Sequence, residues 1–107
     1  MTSQDTLLVD VINRSPEAEF TFTPNNPSIQ DQVNITDTSS DFDGTIVFWF
    51  WDFGDGNTSD LQAPTYKYAT YVDYNVTLTV KDDENAISTY TKTLSVDEAP
   101  NQDVVPL

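Results

Sequence analysis

Trp51-Asp52-Phe53-Gly54-Asp55-Gly56 is the stretch that decides the fold of this chain. Trp51 and Phe53 are two residues apart and therefore share one face of a strand, which predicts that both rings are buried. The two glycines permit backbone angles that other residues resist, as a tight turn requires. The carboxylates of Asp52 and Asp55 can accept hydrogen bonds from the amides of such a turn. The stretch is therefore predicted to be a structural corner at the end of a strand.

The sequence on either side of this corner predicts strands over most of the chain. Apolar and polar residues alternate in several runs, as in a strand with one buried face, and no run has the periodicity of a helix. A near-continuous apolar run leads into the corner, as expected of a central strand. The predicted strands are 18–23, 32–36, 46–53, 66–68, 74–81 and 87–96. Short strands at this spacing predict an all-β fold, a sandwich of two antiparallel sheets with about seven strands.

Composition excludes several classes of function. The chain has 107 residues, enough for one domain, and it contains no cysteine and no histidine. A thiol nucleophile and the commonest general base are therefore missing, and we predict that the chain is not an enzyme. With four basic residues and a formal net charge of −14, it is predicted to bind no nucleic acid, and no run is long enough to insert into a membrane. Its carboxylates favour a hard cation such as calcium.

The corner and the segments around it resemble the PKD (polycystic kidney disease) domain family. The segments that match, in order, are 43–47, 51–56, 57–59, 64–68 and 74–82. The resemblance spans 16–96 and implies an immunoglobulin-like sandwich. Such domains recur in surface-layer proteins, secreted collagenases and chitinases, and animal polycystins. The chain departs from the family pattern at Tyr66, where histidine is frequent, and at Val72, where glycine is common.

The resemblance also implies a calcium site at one end of the sandwich. Some PKD-like domains of secreted collagenases bind calcium through residues that match Asn13, Asp41, Asp43 and Asp82 in this chain, with Asp83 as an alternative to Asp82. Carboxylates, an amide and backbone carbonyls can supply the six to eight oxygens that calcium takes. The alternative is that Asp41 and Asp43 only cap the turn before Gly44, as aspartate often does.

Two further sets of residues are candidate surface sites. Phe48 and Phe50 are predicted to lie on the face of their strand opposite Trp49 and Trp51. Either a neighbouring segment covers them, or they form an exposed contact surface for a partner domain or a sugar. Four Asn-x-Ser/Thr sequons are candidate glycosylation sites on an extracellular protein: Asn13, Asn34, Asn57 and Asn75.

The chain is predicted to divide into three parts, an N-terminal segment at 1–14, the sandwich at 15–97 and a linker at 98–107. Residues 6–10 and 93–97 are identical at four of five positions. The match arises either by chance or because 6–10 is the last strand of a preceding copy in a tandem array. A third interpretation makes 7–12 a strand that is donated to a neighbouring subunit of a filament.

Three functions compatible with a non-catalytic extracellular module follow. The first is a spacer or adhesion unit of a cell-surface or surface-layer protein, with neighbouring domains or other surface proteins as partners. The second is an accessory domain of a secreted hydrolase that binds insoluble protein or polysaccharide. Its support is the aromatic strand that contains Phe48 and Phe50. The third is a filament subunit. All three place the chain outside the cell, at the surface or secreted.

Overall fold

The computed structural model describes residues 14–98, which form seven β-strands and no helix. No helix among these residues is therefore available to cross a membrane. The predicted donor strand 7–12 and nearly all of the predicted linker lie outside the described residues, and the three-part division of the chain stays a prediction. The strands in chain order are β1 (Phe20–Thr23), β2 (Val33–Asp37), β3 (Ile46–Asp52), β4 (Thr58–Ser59), β5 (Thr65–Tyr66), β6 (Asp73–Asp82) and β7 (Ile87–Ser95).

The strands form two antiparallel sheets that face each other. One sheet has three strands in the order β1-β2-β5, and the other has four in the order β4-β3-β6-β7. The all-β sandwich with about seven strands is therefore confirmed. Among the individual strands, β4 was not predicted, and the predicted strand at 66–68 ends at Tyr66. Tyr68 is buried just beyond β5.

Alternating side chains of both sheets build the core between them. In β6 the residues Tyr74, Val76, Leu78 and Val80 are buried, and the residues between them are partly or fully exposed. Trp51 is completely buried and meets the edge of the Phe20 ring at 5.1 Å between centroids. Burial of such a ring removes roughly 200 Å² from water, or about 5 kcal/mol at 25 cal/mol per Å². Trp51 is therefore a major contributor to the stability of a small domain.

The apolar run that was predicted as a central strand is β3, and β3 does have neighbours on both sides. However, β4 covers only its last two residues, Trp51 and Asp52, while β6 pairs with nearly its whole length. A bulge near Val47 interrupts the pairing with β6. The continuous apolar run therefore does not mean that both faces of β3 are buried, since one face of this sheet is turned to solvent.

Lys92 joins the two sheets along one side of the sandwich. It stands in the inward-facing phase of β7, and its Nζ crosses to donate a hydrogen bond to the carbonyl oxygen of Phe20 in β1 at 3.0 Å. The same ammonium lies 5.5 to 5.9 Å from the ring centroids of Phe20, Phe22 and Tyr90. Hydrogen bonding and cation–π attraction together hold β1 against β7.

The chain enters and leaves the described sandwich at opposite ends. At the entry, the amide of Arg14 donates to Asp43 Oδ2 at 3.0 Å, beside the loop that precedes β3. At the exit, Asp97 pairs in parallel with Ser28, in the segment that joins β1 to β2. Both β1 and β7 run from the entry end to the exit end. Their antiparallel neighbours, β2 and β6, run from the exit end back to the entry end.

Candidate metal site and exposed aromatic face

The turn after β3 shows why its two glycines are required. Gly54 and Gly56 have φ angles of 88° and 98°, which side chains disfavour. A Cβ on Gly54 would also lie 2.6 Å from the backbone oxygen of Asn75, whereas a Cβ on Gly56 would meet nothing within 4 Å. Asp52 Oδ1 accepts from the amide of Gly54 at 2.9 Å, and Asp55 Oδ1 accepts from the amide of Asn57 at 3.0 Å. The predicted hydrogen bonds of the corner are thus present.

Two tyrosines continue the corner into the core. The ring of Tyr66 stacks on Phe53 with 4.1 Å between centroids, and its hydroxyl donates to Asp55 Oδ2. The buried hydroxyl of Tyr68 donates to the carbonyl of Phe53 at 2.8 Å, and burial raises the pKa of Tyr68 above its ordinary value. A phenol at position 66 therefore forms the bond to Asp55 that ties the turn to β5.

The chain turns into β6 without the glycine that the family commonly has two residues before Tyr74. The Tyr74 hydroxyl donates to the carbonyl of Thr70 at 3.0 Å, and Val72 accepts from the amide of Val96 at 3.1 Å. Among the described residues, Asn85 is the one non-glycine residue with a positive φ. Val72 therefore avoids the left-handed region. The hydrogen bond of Tyr74 to Thr70 holds the corner, which needs no glycine.

Asp41, Asp43 and Asp82 come together at the entry end of the sandwich. Asp41 and Asp43 lie in the loop before β3, and Asp82 ends β6 on the adjacent strand. One carboxylate oxygen from each lies within 4.8 Å of the others. Asp82 is fully buried, and its Oδ1 accepts from the amides of Glu84 and Ala86, each at 2.9 Å. The fourth residue predicted for this site, Asn13, lies outside the described residues.

Asp41 is the residue that fits a cation best. Both its carboxylate oxygens are buried, and no amide, hydroxyl or cationic group of residues 14–98 donates to either. Burial raises the pKa of Asp41, and the carboxylates of Asp82, Asp43 and Asp83 raise it further. A Cβ on Gly44 would lie 2.8 Å from Asp41 Oδ2, so the glycine leaves room for this crowding. Buried, unpaired carboxylate oxygens of this kind match the hard oxygen ligands that calcium prefers.

Phe48 and Phe50 lie on the outer face of the four-stranded sheet, opposite the buried Trp51. Each is 39% exposed. Lys81, the partner of Phe48 across β6, places its ammonium 5.3 Å from the centroid of that ring. Hydroxyl-bearing side chains extend the same face over β6 and β7, where Thr77 Oγ1 and Thr91 Oγ1 are 2.9 Å apart. The face combines exposed aromatic rings with rows of hydroxyls.

Three of the four candidate glycosylation sites lie on the surface of the described residues. Asn34, Asn57 and Asn75 are exposed. The amide Nδ2 of Asn57 donates to the Tyr66 hydroxyl at 2.6 Å, and Oδ1 of Asn75 accepts from Thr93 Oγ1 at 2.9 Å. Glycosylation stays a prediction for all of them, and Asn13 lies outside the described residues.

Comparison with known proteins identifies the family. The PKD domain profile matches residues 13–97. The chain belongs to the PKD domain family. As a PKD domain it is a non-catalytic module. The fold agrees, since the PKD1 domain of the Vibrio cholerae metalloprotease PrtV superposes with a TM-score of 0.71 at 42% identity, over 78% of this chain and 99% of that one.

The full-length relatives are long proteins, and this chain matches only a small part of each. The chain is 44% identical over 89 residues to the pre-pro-metalloprotease PrtV of Vibrio cholerae, which covers 83% of this chain and 9% of PrtV. It is 33% identical over 96 residues to a microbial collagenase of Vibrio alginolyticus, covering 90% of this chain and 12% of the collagenase. A solved chain from work on carbohydrate-binding modules of the β-sandwich superfamily matches at 40% identity with a TM-score of 0.79, over 82% of this chain and 36% of that chain.

Proposed function

We propose that this PKD domain is an accessory domain of a secreted protease or related hydrolase and that it helps the enzyme to engage insoluble substrate outside the cell. The observation that carries the proposal is the similarity to PrtV and to bacterial collagenases, in each of which the matching unit is about a tenth of the chain. The sequence alone ranked a spacer or adhesion unit of a surface array first. The relatives favour the accessory domain instead.

The outer face of the four-stranded sheet is the surface that we assign to substrate contact. Phe48 and Phe50 are exposed side by side in β3, where aromatic rings can pack on the flat faces of sugars or on apolar side chains of a fibre. Large side chains of this kind are the residues that most often dominate binding energy at an interface. The similarity to the chain from work on carbohydrate-binding modules supports a polysaccharide or a protein fibre as the ligand.

Pull-down on insoluble collagen and on insoluble chitin tests this assignment. The double variant Phe48→Ala/Phe50→Ala is expected to lower the bound fraction by about fivefold or more, because two buried contacts of roughly 1 kcal/mol each are lost. Tyr71→Ala is the matched control, since Tyr71 is 53% exposed but lies in the corner before β6. The assignment would be contradicted if the double variant bound as well as the wild type. It would also be contradicted if the wild type bound neither collagen nor chitin.

A second proposal concerns calcium at the entry end of the domain. It is supported by the buried oxygens of Asp41, to which no group of residues 14–98 donates. Asp41, Asp43 and Asp82 would supply carboxylate ligands, and the ion would supply positive charge among these three acidic side chains. Because Arg14 is held to Asp43, the ion would also stiffen the point where the chain enters the sandwich. The effect would be structural, as ligand binding to the folded state raises stability.

Thermal unfolding in calcium and in chelator tests the site. At a calcium concentration of 100 times Kd, the gain of about 2.7 kcal/mol corresponds to a Tm increase of roughly 10–20 °C for a domain of this size. Asp41→Asn is expected to lose most of that increase. Asp60→Asn, which removes an exposed charge from the loop after β4, should keep it. A wild type that shows no calcium-dependent Tm change, or an Asp41→Asn variant with an undiminished one, would rule the site out.

A further inference from the structure

The outer edge of β7 is a long strand edge that lacks a partner in the described part of the chain. β7 has nine residues and pairs with β6 along its whole length without a bulge. At the two ends of this ladder, Asp82 N donates to Ala86 O, and Val96 N donates to Val72 O. Main-chain groups alternate in direction along an antiparallel strand, so the even-numbered residues turn theirs toward β6. The odd-numbered residues therefore direct their N–H and C=O groups outward: Ile87, Thr89, Thr91, Thr93 and Ser95.

The other edge strands of the two sheets are either very short or already occupied by a side chain. β4 and β5 have two residues each. At the edge of β1, the outward carbonyl of Phe20 is already occupied by the ammonium of Lys92. Proteins commonly protect strand edges with proline, charged side chains or bulges. The outward residues of β7 include no proline, no charged side chain and no bulge. The side chain of Lys92 points into the sandwich, where it contacts β1, so it does not protect the edge of β7.

The acidic residues near β7 restrict the kind of partner that can bind at its edge. Acidic residues flank it at both ends, with Asp83 and Glu84 before Ile87, and Asp73, Asp97 and Glu98 around Ser95. Between them lie about 27 Å of strand whose outward residues are uncharged. A second copy of the chain, with its own net charge of −14, would be repelled. A peptide strand with basic residues at its ends and an uncharged, β-branched centre is complementary to this arrangement.

We propose that the β7 edge binds an extended polypeptide segment by strand addition, with main-chain hydrogen bonds to the outward groups of β7 and with basic residues of the segment at the acidic ends. Such recognition depends on the backbone of the ligand and therefore tolerates many sequences. The site uses main-chain groups at the edge of β7, whereas the aromatic contact uses side chains of β3 and the calcium site uses carboxylates at the entry end. It goes beyond the accessory-domain proposal, and either can fail without the other.

The test uses a fluorescent nonapeptide with two lysines at each end and alternating valine and threonine between them, measured by fluorescence anisotropy. The same peptide N-methylated on all five central residues keeps every side chain and charge but lacks the amide donors of its centre. Its affinity is expected to fall by about tenfold or more, since several hydrogen bonds are lost. A peptide whose affinity is unchanged by N-methylation binds through charge alone, and that outcome overturns the proposal.

Two variants locate the binding on the domain. Thr91→Pro removes an outward N–H without removing a bond to β6 and is expected to lower affinity about tenfold, whereas Thr91→Val keeps the N–H and should bind within about twofold of the wild type. Hydrogen exchange on the wild type gives a second readout that needs no variant. Peptide should slow exchange at the amides of Ile87, Thr89 and Thr93. Protection confined to β1 or β3, or a stable dimer without peptide, overturns the proposal.

Discussion

Gly54→Ala and Gly56→Ala form a matched pair that separates two reasons for a glycine in the turn after β3. Both residues have a positive φ, so both substitutions place an alanine in a disfavoured backbone region. Gly54 also approaches the backbone of Asn75 in β6, at 2.6 Å from its oxygen for an added Cβ, while the space around Gly56 is open. Comparison of the two therefore isolates the close approach of the turn to β6.

The expected losses of stability follow from these two terms. The positive φ costs alanine about 1–2 kcal/mol. A stiffer unfolded chain offsets this by about 0.4–1 kcal/mol. Gly56→Ala should therefore lose about 1 kcal/mol. Gly54→Ala must in addition displace a backbone oxygen that cannot rotate away, and overpacking of this kind costs about 1–3 kcal/mol. Its total should be about 3 kcal/mol, and the φ terms cancel in the difference of about 2 kcal/mol between the two variants.

Urea unfolding in chelator, followed by tryptophan fluorescence, measures both losses, because Trp51 is fully buried in the folded state. Chelator removes any contribution of bound calcium. Equal losses for the two variants would refute the reasoning, since they would show that β6 yields to the added methyl group without penalty. A Gly54→Ala variant that is more stable than Gly56→Ala would refute it as well.

Three further predictions concern single side chains. In chelator at pH 7, Asp41→Asn should melt above the wild type, because its surroundings raise the pKa of Asp41 and thus disfavour the charged form. That advantage should vanish as the pH falls through the raised pKa to below the ordinary value of 3.8, where the carboxyl is neutral in both states. Lys92→Met should lower the free energy of unfolding in urea by about 1–2 kcal/mol through the lost bond to Phe20. An unchanged free energy of unfolding would show that Lys92 does not hold the two sheets together. Tyr74→Phe should lose about 1 kcal/mol, and an unchanged Tm would show that the corner does not need its hydroxyl.

The alternation of side chains was enough to predict the fold, because burial on one face leaves a period of two in the sequence. β6 is the clearest case, with its buried residues at 74, 76, 78 and 80. The two-residue strand β4 escaped prediction because so short a strand has no period of its own. It exists only because β3 offers it a partner after the turn.

The candidate sites were less predictable, because they depend on distances between strands. The sequence placed Asp41, Asp43 and Asp82 in one group only through the family resemblance, and it carried no sign that both oxygens of Asp41 are buried. Lys92 was missed although a signal existed, since it occupies the same phase of β7 as the buried Leu94. A charged residue in a buried phase indicates a specific partner across the core, but no local pattern names Phe20 as that partner.

The opposite placement of entry and exit has a mechanical consequence for the sandwich. A force applied between Arg14 and Asp97 would pass through it parallel to its strands. The ladder bonds of β1 with β2 and of β6 with β7 run perpendicular to that direction. Such a pull loads many bonds in shear at once instead of opening them one after another, so the sandwich resists force best along this axis.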